Sequence, residues 1–148
     1  MHELHTNLEF DKYIQAQTTA ADTDITGTAI DTQGVKALEL GLHIGPGGTV
    51  NASNKVDVKL EKAPDNNGVP GTYVPIVALD LVKDDYSPDA NGLIVTVDNA
   101  TEDDIFKKIG IHVNNPDYRF FRAVLDITGN PAFPVAMEVV KLPYEVPV

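Results

Sequence analysis

Apolar residues in this chain alternate with polar ones rather than recurring at three and four, and turn residues interrupt the alternation every ten or so positions. That pattern predicts strands almost throughout. In "VKALELGLHI" (35–44), Leu38, Leu40, Leu42 and Ile44 fall on one face, and Ala37, Glu39, Gly41 and His43 on the other. The "GPGG" that follows ends the strand, because proline cannot donate to a ladder. In "KVDVKLEKA" (55–63), Val56, Val58 and Leu60 oppose Lys55, Asp57, Lys59 and Glu61, which predicts one face in the core and one in water. "PDNNGVPG" (64–71) reads as a surface loop turning at Asn67-Gly68. "TYVPIVALDLV" (72–82) carries Pro75 and predicts a short edge strand or an irregular segment.

Further strands are predicted from Leu93, from Ile105 to Val113, and over "PAFPVAMEVVKL" (131–142), with a helical turn opening near Thr101. In "YRFFRAVLDITG" (118–129), Phe121, Ala123, Leu125 and Ile127 form a core face. Tyr118, Phe120, Arg122, Val124 and Asp126 share the other. Such short strands, separated by Gly, Pro, Asn and Asp, predict an all-β fold: a two-sheet antiparallel β-sandwich, jelly-roll-like, in one domain spanning 13–148. Residues 1–12, "MHELHTNLEFDK", lack alternation and read as an extended N-terminal arm.

At 148 residues the chain is long enough for one self-sufficient core, and with Cys 0 it uses neither disulfides nor thiolates. No basic segment precedes an apolar run near residue 1, and no stretch approaches the roughly 20 apolar residues of a membrane span. A soluble protein without membrane association is expected. Lys+Arg 11 against Asp+Glu 22 gives a net charge of -11, a field that repels nucleic acid.

Candidate chemistry is sparse. His2 and His5 flank Glu3 in the arm, whereas a metal site needs ligands held by surrounding structure. His43 and His112 stand singly on strands. The acidic pairs Asp22/Asp24, Asp84/Asp85 and Asp103/Asp104 lie in loops and lack a twelve-residue calcium-loop pattern. "GPGG" lacks the following Gly-Lys of a phosphate loop, and the "NAS" at Asn51 and "NAT" at Asn99 match only the short glycosylation pattern. No nucleophile, base or metal constellation emerges, so no enzyme and no cofactor are expected.

Three passages carry a family likeness: "AQTTAADTDITGTAIDTQGVKALELGLHIG", "KVDVKLEKAPDNNGVPGTYVPI", and "KKIGIHVNNPDYRFFRAVLDITG" followed by "PVAMEVVKLPYEVPV". Over roughly residues 14–148 the chain resembles the capsid cement, decoration or head-stabilisation proteins of tailed bacteriophages. It departs from that pattern at Asn114-Asn115-Pro116-Asp117, where the family often has a Gly-Gly-Lys turn, and at Ile111-His112, where a tyrosine is common. The resemblance implies a β-sandwich made in the host cytoplasm and placed on the capsid exterior of the virion. There it would bind the major capsid protein, bridge neighbouring subunits and stabilise the head, with dimers or trimers at symmetry positions.

Partner-contact candidates are His5, Leu8 and Phe10 in the arm, Tyr118, Phe120 and Arg122 on one strand face, and Tyr144 near the end of the sequence. The alternative for the arginines is pairing of Arg119 and Arg122 with carboxylates such as Asp117 and Asp126. The alternative for the protein is a carbohydrate- or ligand-binding sandwich of a head fibre or tail, in which Tyr73, Tyr86, Tyr118 and Tyr144 would build the platform in a chain with Trp 0.

Overall fold

The computed structural model describes residues 8–82, 86–99, 104–113 and 115–143. Its strands are β1 (Glu9–Thr18), β2 (Ile25–Thr26), β3 (Ile30–Asp31), β4 (Val35–Ile44), β5 (Lys55–Ala63) and β6 (Asp65–Asn66). They continue with β7 (Val69–Pro70), β8 (Val74–Pro75), β9 (Leu93–Val97), β10 (Ile105–Ile111), β11 (Phe120–Thr128) and β12 (Pro134–Pro143). A 3₁₀ turn covers Ala78–Asp80. The turn expected near Thr101 falls outside the described residues.

All pairings are antiparallel. One sheet, A, has the order β1-β12-β4-β10; the other, B, runs β2-β11-β5-β8, with β3 also on β11 and β9 also on β5. Alternation explains how they meet. Leu38, Leu40, Leu42 and Ile44 of β4, with Ile109, Val135, Met137 and Val139, face Val56, Val58 and Leu60 of β5 and Phe121, Ala123, Leu125 and Ile127 of β11 in one buried cluster. The sandwich and the core faces expected for β4, β5 and β11 are therefore present.

Two turn expectations hold for their physical reasons. Asn67 and Gly68 both have positive φ, 56° and 87°, as a two-residue hairpin turn between β6 and β7 requires. Pro75 lies in the two-residue β8, paired at the outer edge of β5.

Residues 9–12 depart from the expected arm. They belong to β1, with Glu9, Phe10, Asp11 and Lys12 opposite Lys141, Val140, Val139 and Glu138. The sequence shows no alternation there because β1 is an edge strand exposed along most of its length, with Ile14 its one buried residue. Its register shifts between Lys12, Ile14 and Gln17 bend this edge, a feature that discourages pairing with another chain.

Tyr13 ties the sheets together. Its hydroxyl accepts the Ala123 N–H at 2.8 Å and donates to the Thr28 carbonyl at 2.9 Å, filling the gap between β2 and β3 along β11. Gly27 makes room for the ring, since a Cβ there would come 2.3 Å from it. Burial pushes the Tyr13 phenol up to about 12.

Candidate interaction face

On the outer side of sheet B, strand register decides which charges meet. Arg122 lies directly opposite Glu61, and its Nε donates to the Glu61 carboxylate at 2.6 Å while the guanidinium stacks 3.8 Å from the Tyr73 ring centre. Lys55 donates to Asp57 at 2.5 Å, Thr96 donates to the same carboxylate at 2.6 Å, and Lys59 pairs with Asp126. Asp57, expected in water, is 8% exposed beneath these partners. The carboxylates beside Lys55 and Lys59 raise both ammonium groups above their ordinary range.

Burial corrects one candidate on 118–122, Phe120, while Tyr118 and Arg122 are half-buried and engaged within the chain. Phe120 is 4% exposed, and the Arg119 guanidinium lies 5.0 Å from its ring centre, held by Asp31 at 2.6 and 2.7 Å and by Asp65 at 2.9 Å. Tyr118 lies 4.1 Å under the Lys62 ammonium. The arginines are thus paired, but with Asp31, Asp65 and Glu61 rather than Asp117 and Asp126. Asp126 stands four residues along β11 from Arg122, about 13 Å at strand rise, whereas Glu61 is its cross-strand neighbour.

The outer side of sheet A is built otherwise. Its register sets Phe10 beside Val140 and Leu142 beside Ala37, an apolar end to the sheet with Phe10 66% exposed. Leu8 is half-buried just before it. Because Glu9 opposes Lys141, Leu8 and Pro143 lie at this same end; His5 and Tyr144 lie outside the described residues. The next row runs Lys12, Glu138, Gly41, Lys108, and the one beyond it Ala136, His43, Phe106. Among the described residues the one charge contact on this face is His43 to Asp104, at 4.0 Å. Lys12, Lys108, Glu39 and Glu138 have no ion-pair partner there.

Small side chains at Gly41 and Ala136 leave a groove of about 760 Å³ between β1 and Phe106, which is 56% exposed. Glu138 lies over Gly41, so close that a Cβ there would meet its side chain at 2.9 Å. The sequence signal was present in the small residues of β4 and β12, but only the register shows that they adjoin.

No group of three or more metal-ligating side chains occurs among the described residues. Asp22 and Asp24 accept backbone N–H groups of Gly129 and Ile127, which explains both as supports for the β11 edge. His2, Asp84, Asp85 and Asp103 lie outside the described residues. Of the platform tyrosines among the described residues, Tyr73 stacks under Arg122, Tyr118 under Lys62, and Tyr86 packs beside Ile94 and Ile105. The chain matches no protein-family model, and comparison with curated proteins yields no match.

Proposed function

We propose that this chain is a structural virion protein that binds the outer surface of the major capsid protein lattice and stabilises a phage head by bridging neighbouring subunits. The observation that carries the reading is the apolar end of sheet A, where exposed Phe10 lies opposite Val140 and where Leu142 lies opposite Ala37. An exposed apolar patch on a sheet face suits anchoring on a repeating lattice. Many symmetric copies turn modest contacts into strong retention.

Strand order supports the family likeness. Taking β2 and β3 as one line, eight lines pair first with eighth (β1 with β12), second with seventh (β2 and β3 with β11), third with sixth (β4 with β10) and fourth with fifth (β5 with β9). A long hairpin rolled up in this way gives a jelly roll, an architecture frequent in capsid proteins and also used by lectins. The contacts that Tyr73, Tyr86 and Tyr118 already make within the chain favour this reading over the lectin-like alternative.

The role is non-catalytic and needs no cofactor. The test is co-sedimentation with emptied heads of the source phage across a salt series, with tail assemblies as control. Saturable binding to heads alone is expected, with loss of that binding in Phe10→Asp. Binding to tails alone, or unchanged head binding by Phe10→Asp, would refute this placement.

A further inference from the structure

Two Asn-Gly pairs occur in the chain, Asn67-Gly68 and Asn91-Gly92, and the fold treats them differently. Such a pair carries chemistry of its own. The glycine amide nitrogen can attack the side-chain carbonyl carbon of the asparagine, and the missing Cβ removes the main steric obstacle to that approach. A new N–C bond forms, and the amide proton leaves with the side-chain nitrogen as ammonia, giving a succinimide. Water then opens the ring at either carbonyl and yields aspartate or isoaspartate. The step needs a glycine nitrogen able to give up its proton and a backbone free to rotate until the two atoms meet.

Asn67-Gly68 meets both conditions. The two residues are exposed at the tip of the β6–β7 hairpin, and a Cβ built on Gly68 would find nothing within 4 Å. β6 and β7 have two residues each and pair with one another in a sheet of their own, so the tip opens at little cost. The Gly68 N–H donates to the exposed Asp65 carboxylate at 2.7 Å, a group that can accept the proton. The base stays anchored meanwhile, because Asp65 holds Arg119 at 2.9 Å and the Gly71 N–H bonds the Pro64 carbonyl at 2.9 Å. Asn91-Gly92 lacks the second condition. Gly92 is buried, its N–H donates to the Asp89 carbonyl at 3.0 Å, and its own carbonyl accepts the Leu60 N–H at 3.0 Å. A Cβ there would come 2.4 Å from the Leu60 carbonyl oxygen, so closely does this backbone lie against β5. The Asp89 carboxylate also accepts the N–H groups of Asn91 at 2.7 Å and Leu93 at 2.9 Å, which ties the chain on both sides of Gly92.

We infer that Asn67 is a site of spontaneous deamidation in the folded protein, and that the fold shields Asn91 from the same reaction. Conversion adds a negative charge to a chain already at -11. The isoaspartate product also inserts an extra carbon into the backbone, so the Asn66–Val69 pairing set by the two-residue turn is lost. Newly made and aged chains therefore differ at the hairpin tip, while the two sheets of the sandwich, which this hairpin does not join, keep their pairing. The site is separate from the proposed head binding, which uses the Phe10 end of sheet A.

Peptide mapping by mass spectrometry tests this on the full folded chain, held at mildly alkaline pH and sampled over days. Trypsin separates the two sites, since residues 63–83 and 84–107 each lie between lysines. Aspartate and isoaspartate are expected at position 67, forming about tenfold or more faster than at 91, where two backbone hydrogen bonds of Gly92 must first break. In urea, with the fold gone, the two rates should converge. Melting of the converted chain should match that of fresh protein. Equal rates in the folded chain would overturn the inference, because Gly92 would then not be held. So would a folded chain that stays intact at 67 and converts only in urea, since the Asp65 bond would then guard the tip. A fall in melting that tracks conversion would overturn the separation of the hairpin from the sandwich.

Discussion

The two outer faces of the sandwich carry similar charged residues and use them differently. On sheet B, Lys55, Asp57, Lys59, Glu61, Arg122 and Asp126 are all consumed in contacts with one another. On sheet A, Lys12, Glu39, Lys108 and Glu138 are left without such partners among the described residues, beside exposed Phe10 and Phe106. A face whose charges already satisfy each other has little to offer a partner and must be desolvated to bind one. The difference teaches that an interface is found by what the fold leaves unused, and sheet A is the unused face.

The largest effect should come from a charge pair, Lys62 with Asp80, whose two members are both buried rather than displayed. Lys62→Met strips Asp80 of its partner at 3% exposure and should cost about 3–5 kcal/mol, read from urea unfolding. Adding Asp80→Asn should recover the larger part, because the amide oxygen still accepts the Val77 N–H while no charge remains buried. If Lys62→Met unfolds no earlier than wild type, the turn is not held by this pair, and the contrast between buried and displayed charges loses its strongest member.

Next in size is the link between the sheets. Tyr13→Phe leaves the Ala123 N–H without its acceptor and should cost about 1–3 kcal/mol. It should also change the alkaline limb of stability. The Tyr13 phenol titrates at about 12 in the fold against about 10 when unfolded, so the folded state holds its proton more tightly. Its contribution is full below about pH 10 and is lost as pH rises through 12. Chemical denaturation from pH 9 to 12 should show a shallower decline in Tyr13→Phe. It will not be flat, since Tyr73, Lys55 and Lys59 are also raised and lose stability in the same direction.

Where a residue's role depends on its own strand, the sequence was enough. The inward faces of β4, β5 and β11, the Asn67-Gly68 turn and the demotion of the Pro75 segment follow from period, φ and the missing proline N–H. Roles that depend on which strands adjoin were not legible. Phe120 and Arg122 read as a contact face because nothing in "YRFFRAV" announces that Asp31 will lie opposite Phe120 and Glu61 opposite Arg122, or that Asp31 and Asp65 will hold Arg119 between them. Phe10 was singled out for the right exposure but assigned to an arm, since an edge strand bared on both sides need not alternate. Lys62 and Tyr13 carried no signal at all: one looks like another lysine of a charged strand, and the other sits in a polar run.

Smaller effects should follow on sheet B. A double-mutant cycle on Lys59 and Asp126 should return a coupling of about 0.2–1 kcal/mol, as for other partly exposed pairs. The cycle on Glu61 and Arg122 should sit at the upper end of that range, and Arg122→Ala should cost somewhat more than Glu61→Ala because it also removes the stack on Tyr73. Neither pair should alter head binding. A change would return the interface to the β5 and β11 side.

The smallest effect on stability should accompany the largest on association. Phe10 is 66% exposed and its cross-strand partner Val140 is only half-buried, so Phe10→Asp removes little buried area and introduces a charge at an already solvated edge. The unfolding free energy should move by no more than about 0.5 kcal/mol. The matching control is Val124→Asp on the outer side of β11, where Thr26 and Lys59 flank a half-buried valine. If the sheet A face is the one left free for a partner, Phe10→Asp loses head binding at nearly native stability and Val124→Asp keeps it at some cost in stability. The reverse pattern would show that pairing of charges does not mark the idle side of this sandwich, and that the difference between its two faces concerns folding alone.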